Sequence, residues 1–571
     1  MLPRHGLTTD IRWHLAKYLH QVALWSKGFT AKPTLTFVVL NVMISLFGLI
    51  FEARAGLEDL KAIESLPVLD GGRVKPYGVW AKEVLQLIYG KQSYEGRPAY
   101  EVVTTMWLEP QLWQEKEIFQ IKRFEIKKAL GLSDEVEHLS WKALNENPRL
   151  PDLMQMLQDK RANKEKLDPF FQDVARLESA LVTFREMASG RLLRVLPVSF
   201  DQWKDLTELN EEELQRFMRI TQAFVENLGD NKDSEARLQQ AIKDFLKLYP
   251  SSVPVPHRSI AWELWYEKWH PFRWAYGFYF LTAVALLVGW IMQKPWPRSW
   301  AYALASLGVI MHIMGFTIRS YLTGRAPVTN MYETVVWVSF GAFVFSVILE
   351  IWYKSRLYLG LGALGAALAL LLSDMSPAVL DPSLQPLEPV LRSNFWLTVH
   401  VLTITVSYAA FLLAFILGNV GLFYWVRSPE KKELIESLTL GCYRAVQMGV
   451  ALLAPGIILG GVWADYSWGR FWGWDPKETW ALIALLGYLA LLHARLIGWL
   501  KSFGFMAWSV LSFHLVIMAW YGVNYVLGAG LHSYGFGAGG LEYVSAFVVL
   551  NMAYVFFTWW IYRGLRSKEA R

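Results

Sequence analysis

Histidine and tryptophan, rather than acid pairs or cysteine, are the residue types whose spacing in this chain points to chemistry. Residues Trp468 to Trp480 read WGRFWGWDPKETW, and Gly460, Gly461, Trp463 and Asp465 precede them. Trp463, Trp468, Trp472, Trp474 and Trp480 thus fall within 18 residues at the mouth of an apolar run. An interfacial aromatic belt would account for tryptophan there, because indole favours the headgroup region. A belt needs neither the glycine between Trp472 and Trp474 nor the Asp475-Pro476-Lys477-Glu478 that follows. Aromatic slabs separated by small residues, with a few polar groups to fix orientation, instead suit a large, flat, apolar ligand.

The histidines narrow the ligand. His400 sits at the outer end of one apolar run and His532 in the loop between the last two, with the tryptophan loop between them in sequence. Two imidazoles flanking an aromatic platform are what six-coordinate haem iron needs. Imidazole also suits zinc or copper. Two histidines without a nearby carboxylate or thiolate set make a poor zinc site, however, and leave the tryptophans without a role. His312, His493 and His514 lie inside apolar runs, where an ionisable group is costly and is a functional hypothesis by default. His493 is 13 residues inward of Trp480, about 20 Å along a helix, which puts it toward the opposite face. His514 comes out at a similar depth. His493 is a candidate for a second, deeper haem site, with His312 or His514 as candidate second ligands, although each of these two reads better as an interhelical hydrogen-bonding residue. Arg495, beside His493, suits a haem propionate or the inner headgroups. Arg319 to Glu333 reads RSYLTGRAPVTNMYE, an outer loop in which Glu333 needs a partner and Arg319 or Arg325 suits loop structure or a propionate.

These residues are positioned by membrane spans. Ten apolar runs are long enough, or nearly so, to cross a hydrocarbon core of about 30 Å: 35–51, 274–292, 300–318, 331–352, 357–373, 396–426, 443–462, 480–500, 505–526 and 544–562. The expected fold is therefore all-α, a polytopic transmembrane bundle of about ten spans. Basic residues at the N-terminus, in the connections near 293–299 and 353–356 and in the tail place those segments inside. The expected organisation is a cytoplasmic segment 1–34, a first span 35–51, an extracytoplasmic domain 52–270, a membrane domain 271–562 carrying the loop at 463–480, and a cytoplasmic tail 563–571. The 52–270 stretch mixes apolar residues at helical spacing with Lys, Glu and Gln, and reads as a mainly helical docking or spacer module. Within it Asp70-Gly71-Gly72 marks a tight turn before Arg73, Lys75 and Pro76.

Composition agrees. Of 571 residues 54% are hydrophobic, 15% aromatic and only 19% charged, and 28 are tryptophan. That is a membrane protein in contact with lipid. The net charge of +6 reflects basic inner loops, and no groove-reading motif points to nucleic acid. A single cysteine, Cys442, excludes an internal disulfide, a CxxC redox pair and a cysteine-based metal site. The absence of CxxCH means that the chain carries no covalently attached c-type haem of its own. The N-terminus does not read as a cleavable signal peptide, since its first apolar run begins only near Leu35.

At these residues the chain resembles the CcsA (ResC) family of cytochrome c biogenesis proteins, within the wider haem-handling group that has a WWD domain. The resemblance rests on Trp468–Trp480, Leu492-His493-Ala494-Arg495, Thr398-Val399-His400 with Tyr408, Gly530-Leu531-His532-Ser533-Tyr534-Gly535, and Gly324 to Glu333, in order across residues 270–560. It implies that His400 and His532 hold haem b beside the WWD loop and that His493 belongs to an intramembrane haem site. It further implies a CcsB (ResB)-like partner, with which such proteins export haem and present it, reduced, to the CxxCH thiols of apocytochrome c. The function expected is thus the CcsA half of a cytochrome c synthase, a haem lyase subunit, in an energy-coupling membrane with the loop and the 52–270 domain outside. No clear CcsB-like set of spans stands in the sequence, so either a separate subunit supplies the second intramembrane ligand, or His312 or His514 replaces it, or the deep site is altered. Haem delivery without thiol chemistry is an alternative. A b-type electron carrier would instead pair histidines within the bilayer, and a ligand-free scaffold leaves the loop without a cause.

Overall fold

The computed structural model describes residues 62–163, 165, 167–228, 232–294, 296–376, 380–384, 395–527 and 540–569. The first expected span, the segment before it and His532 lie outside the described residues. Among those described, nine helices are long and apolar enough to cross a membrane, and the chain is an all-α polytopic membrane protein. They coincide with the last nine of the ten expected runs.

Where the observed helices outgrow the apolar runs, the cause is local. The run 274–292 becomes His257–Met292, because Pro256 precedes a further helix, His257–Trp269, that is joined to Pro271–Met292 at His270. His270 has φ 45°, and a proline follows, which breaks the helix axis there. The run 443–462 grows to Lys432–Trp468, since Ile435, Leu438 and Cys442 carry its buried stripe past the end of the continuous apolar stretch. The last span continues as helix to Glu569, through the basic residues expected to form a tail. Ser502–Ile517 runs into a π-helical segment, Met518–Leu527, that the sequence pattern did not announce. Extended π-helix is rare and tends to mark functional sites.

Close approach of two helices sets the bundle's geometry. Phe395–Arg427 and Lys432–Trp468 pack antiparallel. Gly449 lies against Phe411, Gly456 against Ile404 and Gly460 against His400. The steps are seven and then four residues on both helices, so one stripe of small residues faces one stripe of large ones. A Cβ on Gly456 would sit 3.2 Å from the Ile404 Cα, so the backbones approach this closely only because that position is bare.

Residues 62–246 build a separate core, with Tyr77, Trp80, Phe119, Phe184 and Phe217 buried in it. Strands Pro67–Asp70 and Arg73–Pro76 form a hairpin in register, Asp70 opposite Arg73. Its two-residue turn is Gly71-Gly72 with φ 57° and 78°, the paired left-handed geometry that glycine makes cheap. The turn aims Arg73 at the membrane bundle. Its guanidinium grips Glu263 through two bonds of 2.7 and 2.6 Å and donates to the Leu384 carbonyl at 2.7 Å. Leu384 follows the Leu357–Met375 helix, so the domain is fastened to the end of the bundle at which that helix finishes.

Candidate functional site

At that same end of the bundle a cavity of about 610 Å³ opens, within the ~300–1,000 Å³ usual for small-molecule sites. The ends of five helices and two loops enclose it. The Phe395 helix contributes His400 and Tyr408, the Lys432 helix Gly460 and Trp463, the loop beyond it Trp472, and the Pro476 helix Lys477. Residues 324–334 and the π-helical segment, through Trp520 and Asn524, close the remaining walls.

His400 is held rather than merely present. Its Nδ1 lies 2.8 Å from the Gly456 carbonyl. A carbonyl can only accept, so Nδ1 carries a proton, and in the neutral ring the lone pair is on Nε2. A backbone-anchored Nδ1–H is the usual means of fixing a ligating imidazole's tautomer and orientation. The ring is nearly parallel to Trp463, at 6° and 6.3 Å between centroids. Gly460 clears space for it: a Cβ there would fall 2.5 Å from Cε1 and 2.8 Å from Nδ1.

The tryptophans divide into separate roles. Trp463 and Trp472 line the cavity. Trp468 packs edge-on behind Trp463 at 4.6 Å. Trp474 braces Trp472 from outside, perpendicular at 5.8 Å, and is itself 71% exposed with φ 55°. Trp480, on the first turns of the Pro476 helix, is half-buried and is not part of the cavity wall. Asp475 is buried and also stands outside the wall, as the N-cap of that helix. Its carboxylate accepts from the Lys477 amide at 2.9 Å, while Glu478 accepts from the Gly473 and Asp475 amides at 2.8 and 3.1 Å and from Arg470 at 3.3 Å. The polar residues after the tryptophans therefore form a capping box that pins the loop to the helix.

The intramembrane histidines are not brought together. His312 is fully buried in another aromatic cluster, with Nδ1 3.3 Å from the Tyr279 hydroxyl and Nε2 3.1 Å from the Val336 carbonyl. Its Nε2 is thereby a donor, and the ring serves as an interhelical link. His493 is exposed on the flank of the bundle, its Nδ1 donating to the Leu489 carbonyl at 2.7 Å. The expectation that His514 shares its depth is corrected by the packing: Gly487 lies against Leu515, so on these antiparallel helices His514 is level with residue 488, about 7.5 Å along the helix from His493. The reason is that the span containing His514 extends from Ser502 to Leu527, and His514 is near its middle while His493 is near the end of its own helix. Arg495 donates to the Leu500 carbonyl at 3.0 Å, closing the turn between the two spans.

Glu333 has the partners its position demanded. Arg319 reaches it at 2.9 Å and Arg325 at 2.7 Å, and Thr329 donates through its amide and hydroxyl at 3.0 and 3.1 Å. Arg319 is committed to this cluster at 1% exposure, whereas Arg325 also reaches the cavity wall. Asn524 and Trp520 escaped the sequence reading. A lone asparagine one helical turn after a tryptophan in an apolar span was the signal that could have found them.

The fold and site define a class of polytopic membrane protein that gathers a tryptophan loop and a backbone-anchored imidazole around one cavity at one end of its spans. Residues 328–532, which contain most of that wall, match the family described as cytochrome C assembly protein. The chain is 35% identical over 240 residues to cytochrome c biogenesis protein CcsA of Guillardia theta, covering 37% of this chain and 78% of that one. Identity to CcsA of Prochlorococcus marinus is 32% over 298 residues, 45% of this chain and 92% of that one. A longer match, 27% over 489 residues, is to protein NrfI of Wolinella succinogenes, covering 82% of this chain and 53% of that protein's length. The chain belongs to the CcsA family of cytochrome c biogenesis proteins, and its role lies in cytochrome c maturation.

Proposed function

We propose that the chain is the CcsA half of a cytochrome c synthase, which moves haem b to the outer face of an energy-coupling membrane and presents it for covalent attachment. The observation that carries this reading is the anchored His400 ring, its lone pair on Nε2, set beside Trp463 in the cavity. His400 holds the iron from one side; His532, on the strength of the family resemblance, holds it from the other. The tryptophan wall covers the porphyrin face, and bis-imidazole ligation keeps the iron ferrous during presentation. Each cysteine S–H of a CxxCH segment then adds across one vinyl group: sulfur bonds to one vinyl carbon, and the proton goes to the other.

The deeper site is read as shared. Of the three sources for a second ligand beside His493, His312 has its Nε2 committed to a carbonyl and His514 sits at another depth. The exposed position of His493 on the bundle's flank suits a ligand from a separate CcsB-like subunit. The basic inner connections support placing the cavity and the 62–246 domain on the outer side.

The test is the absorption of the purified protein, wild type beside His400→Ala and His532→Ala, with and without imidazole. A reduced haem spectrum that weakens in either variant and returns with imidazole is expected. Haem-free wild-type protein from haem-replete cells would count against the site. Cytochrome formation in a host without other ligases, with and without a CcsB-like subunit, separates attachment from delivery alone.

A further inference from the structure

Three charged side chains line the cavity: Arg325, Lys477 and Glu478. Arg325 is paired with Glu333 at 2.7 Å. Glu478 is taken up by the Gly473 and Asp475 amides and by Arg470. Lys477 differs from both: no hydrogen bond or close ion pair holds its ammonium among the described residues, and the Asp475 carboxylate, which accepts from the Lys477 backbone amide at 2.9 Å, acts on that ammonium only through space. Local structure gives the ammonium no role. It stands in the first turn of the Pro476 helix, where the aligned peptide dipoles disfavour a cation. It is half-buried, so it is partly stripped of water as well. A cation on the unfavourable end of a helix, offset only through space by Asp475 and held by no hydrogen bond on the wall of a ligand-sized cavity, is explained by an anion that arrives with the ligand.

We propose that Lys477 receives a carboxylate of the bound ligand, which on the reading above is a haem propionate. The inference rests on that reading and adds a specificity determinant to it. The His400–iron bond alone leaves the porphyrin free to rotate about the bond, and flat tryptophan walls do not oppose that rotation. A single charge-assisted contact at the rim removes the freedom. It places the propionate edge toward the first turn of the Pro476 helix and turns the vinyl groups to other parts of the cavity. Lys477 is thus a positioning residue for the vinyl carbons that react.

The experiment titrates the full chain, purified in detergent and stripped of haem, with haem and with haem dimethyl ester, following the Soret band. Wild type should prefer the free acid by about tenfold or more, the scale of one charge-assisted hydrogen bond. Lys477→Gln should bind the two porphyrins alike, while Lys477→Arg keeps the preference. A preference retained in Lys477→Gln overturns the assignment. So does a wild-type protein that binds acid and ester equally, a result that needs no variant to fold. The underlying haem reading fails separately: wild type that binds neither porphyrin, or binds both unchanged in His400→Ala, overturns that reading and this inference together.

Discussion

Gly460→Ala is the sharpest test of how the site is built. A methyl group at this position would stand 2.5 Å from Cε1, 2.8 Å from Nδ1 and 3.1 Å from Nε2 of His400. Ordinary carbon contacts begin near 3.5 Å, so the ring or the helix must move by roughly 1 Å. The imidazole cannot yield cheaply, because it is rigid and its Nδ1 is tied to the Gly456 carbonyl at 2.8 Å. Moving it sacrifices that bond, about 1 kcal/mol net. Moving the helix instead strains a packed interface, at about 1–3 kcal/mol. Either way Nε2 is re-aimed, and a ligating atom displaced by this much loses most of its bond to iron. The expected result is folded protein with at least tenfold weaker haem retention, partly restored by added imidazole, which replaces the lost ligand. Gly277→Ala is the control, since a Cβ there meets nothing within 4 Å. Haem content and reduced spectra are compared for the three proteins. If Gly460→Ala holds haem like wild type, the bare glycine does not set the ring, and the account of this site fails.

Glu333→Gln should destabilise the bundle by about 3–5 kcal/mol, because it leaves the buried guanidinium groups of Arg319 and Arg325 without their counter-charge; thermal unfolding in detergent reads this, and an unchanged midpoint would refute it. Asp475→Ala removes the N-cap of the Pro476 helix, at a cost of about 1 kcal/mol, and hydrogen exchange should quicken across residues 469–478 while other spans stay unaffected. In the 62–246 domain, burial pushes the Glu213 carboxyl up, but the Asn210 amide and the Lys204 ammonium outweigh it and hold it below its ordinary 4.5. The unfolded chain therefore binds this proton more readily, and the stabilisation is full above pH 4.5 and lost as pH falls through the folded value. Hydrogen exchange in Glu211–Asn227 should accelerate in that acid range for wild type, and Glu213→Gln should flatten the response; a matching pH profile in the variant would contradict the assignment.

Much of this protein was legible in one dimension. Nine of the expected apolar runs return as spanning helices among the described residues, because in a bilayer a span must be both helical and apolar, and both properties are written locally. His400 and the loop from Trp463 to Trp480 stood out because glycine-spaced tryptophans followed by Asp-Pro-Lys-Glu, flanked by an imidazole, are more than an interfacial aromatic belt needs. Glu333 entering a span implied a cationic partner, and Arg319 and Arg325 supply the charge.

Only the tertiary structure separated the residues of the loop into roles. Trp463 and Trp472 face the cavity while Trp468 and Trp474 buttress them, and Asp475 caps a helix instead of reaching the wall. Composition cannot make that division, since it depends on where each side chain points after the chain turns through Gly469 and the left-handed Trp474. The carbonyl that anchors the His400 Nδ1 lies 56 residues away, delivered by a helix crossing whose glycine register is visible only once two helices are paired. The depths of His493 and His514 likewise depended on how far their helices extend and slide past one another. Local chemistry determines which segments span and which groups must be satisfied; the packing of those segments decides which group meets which.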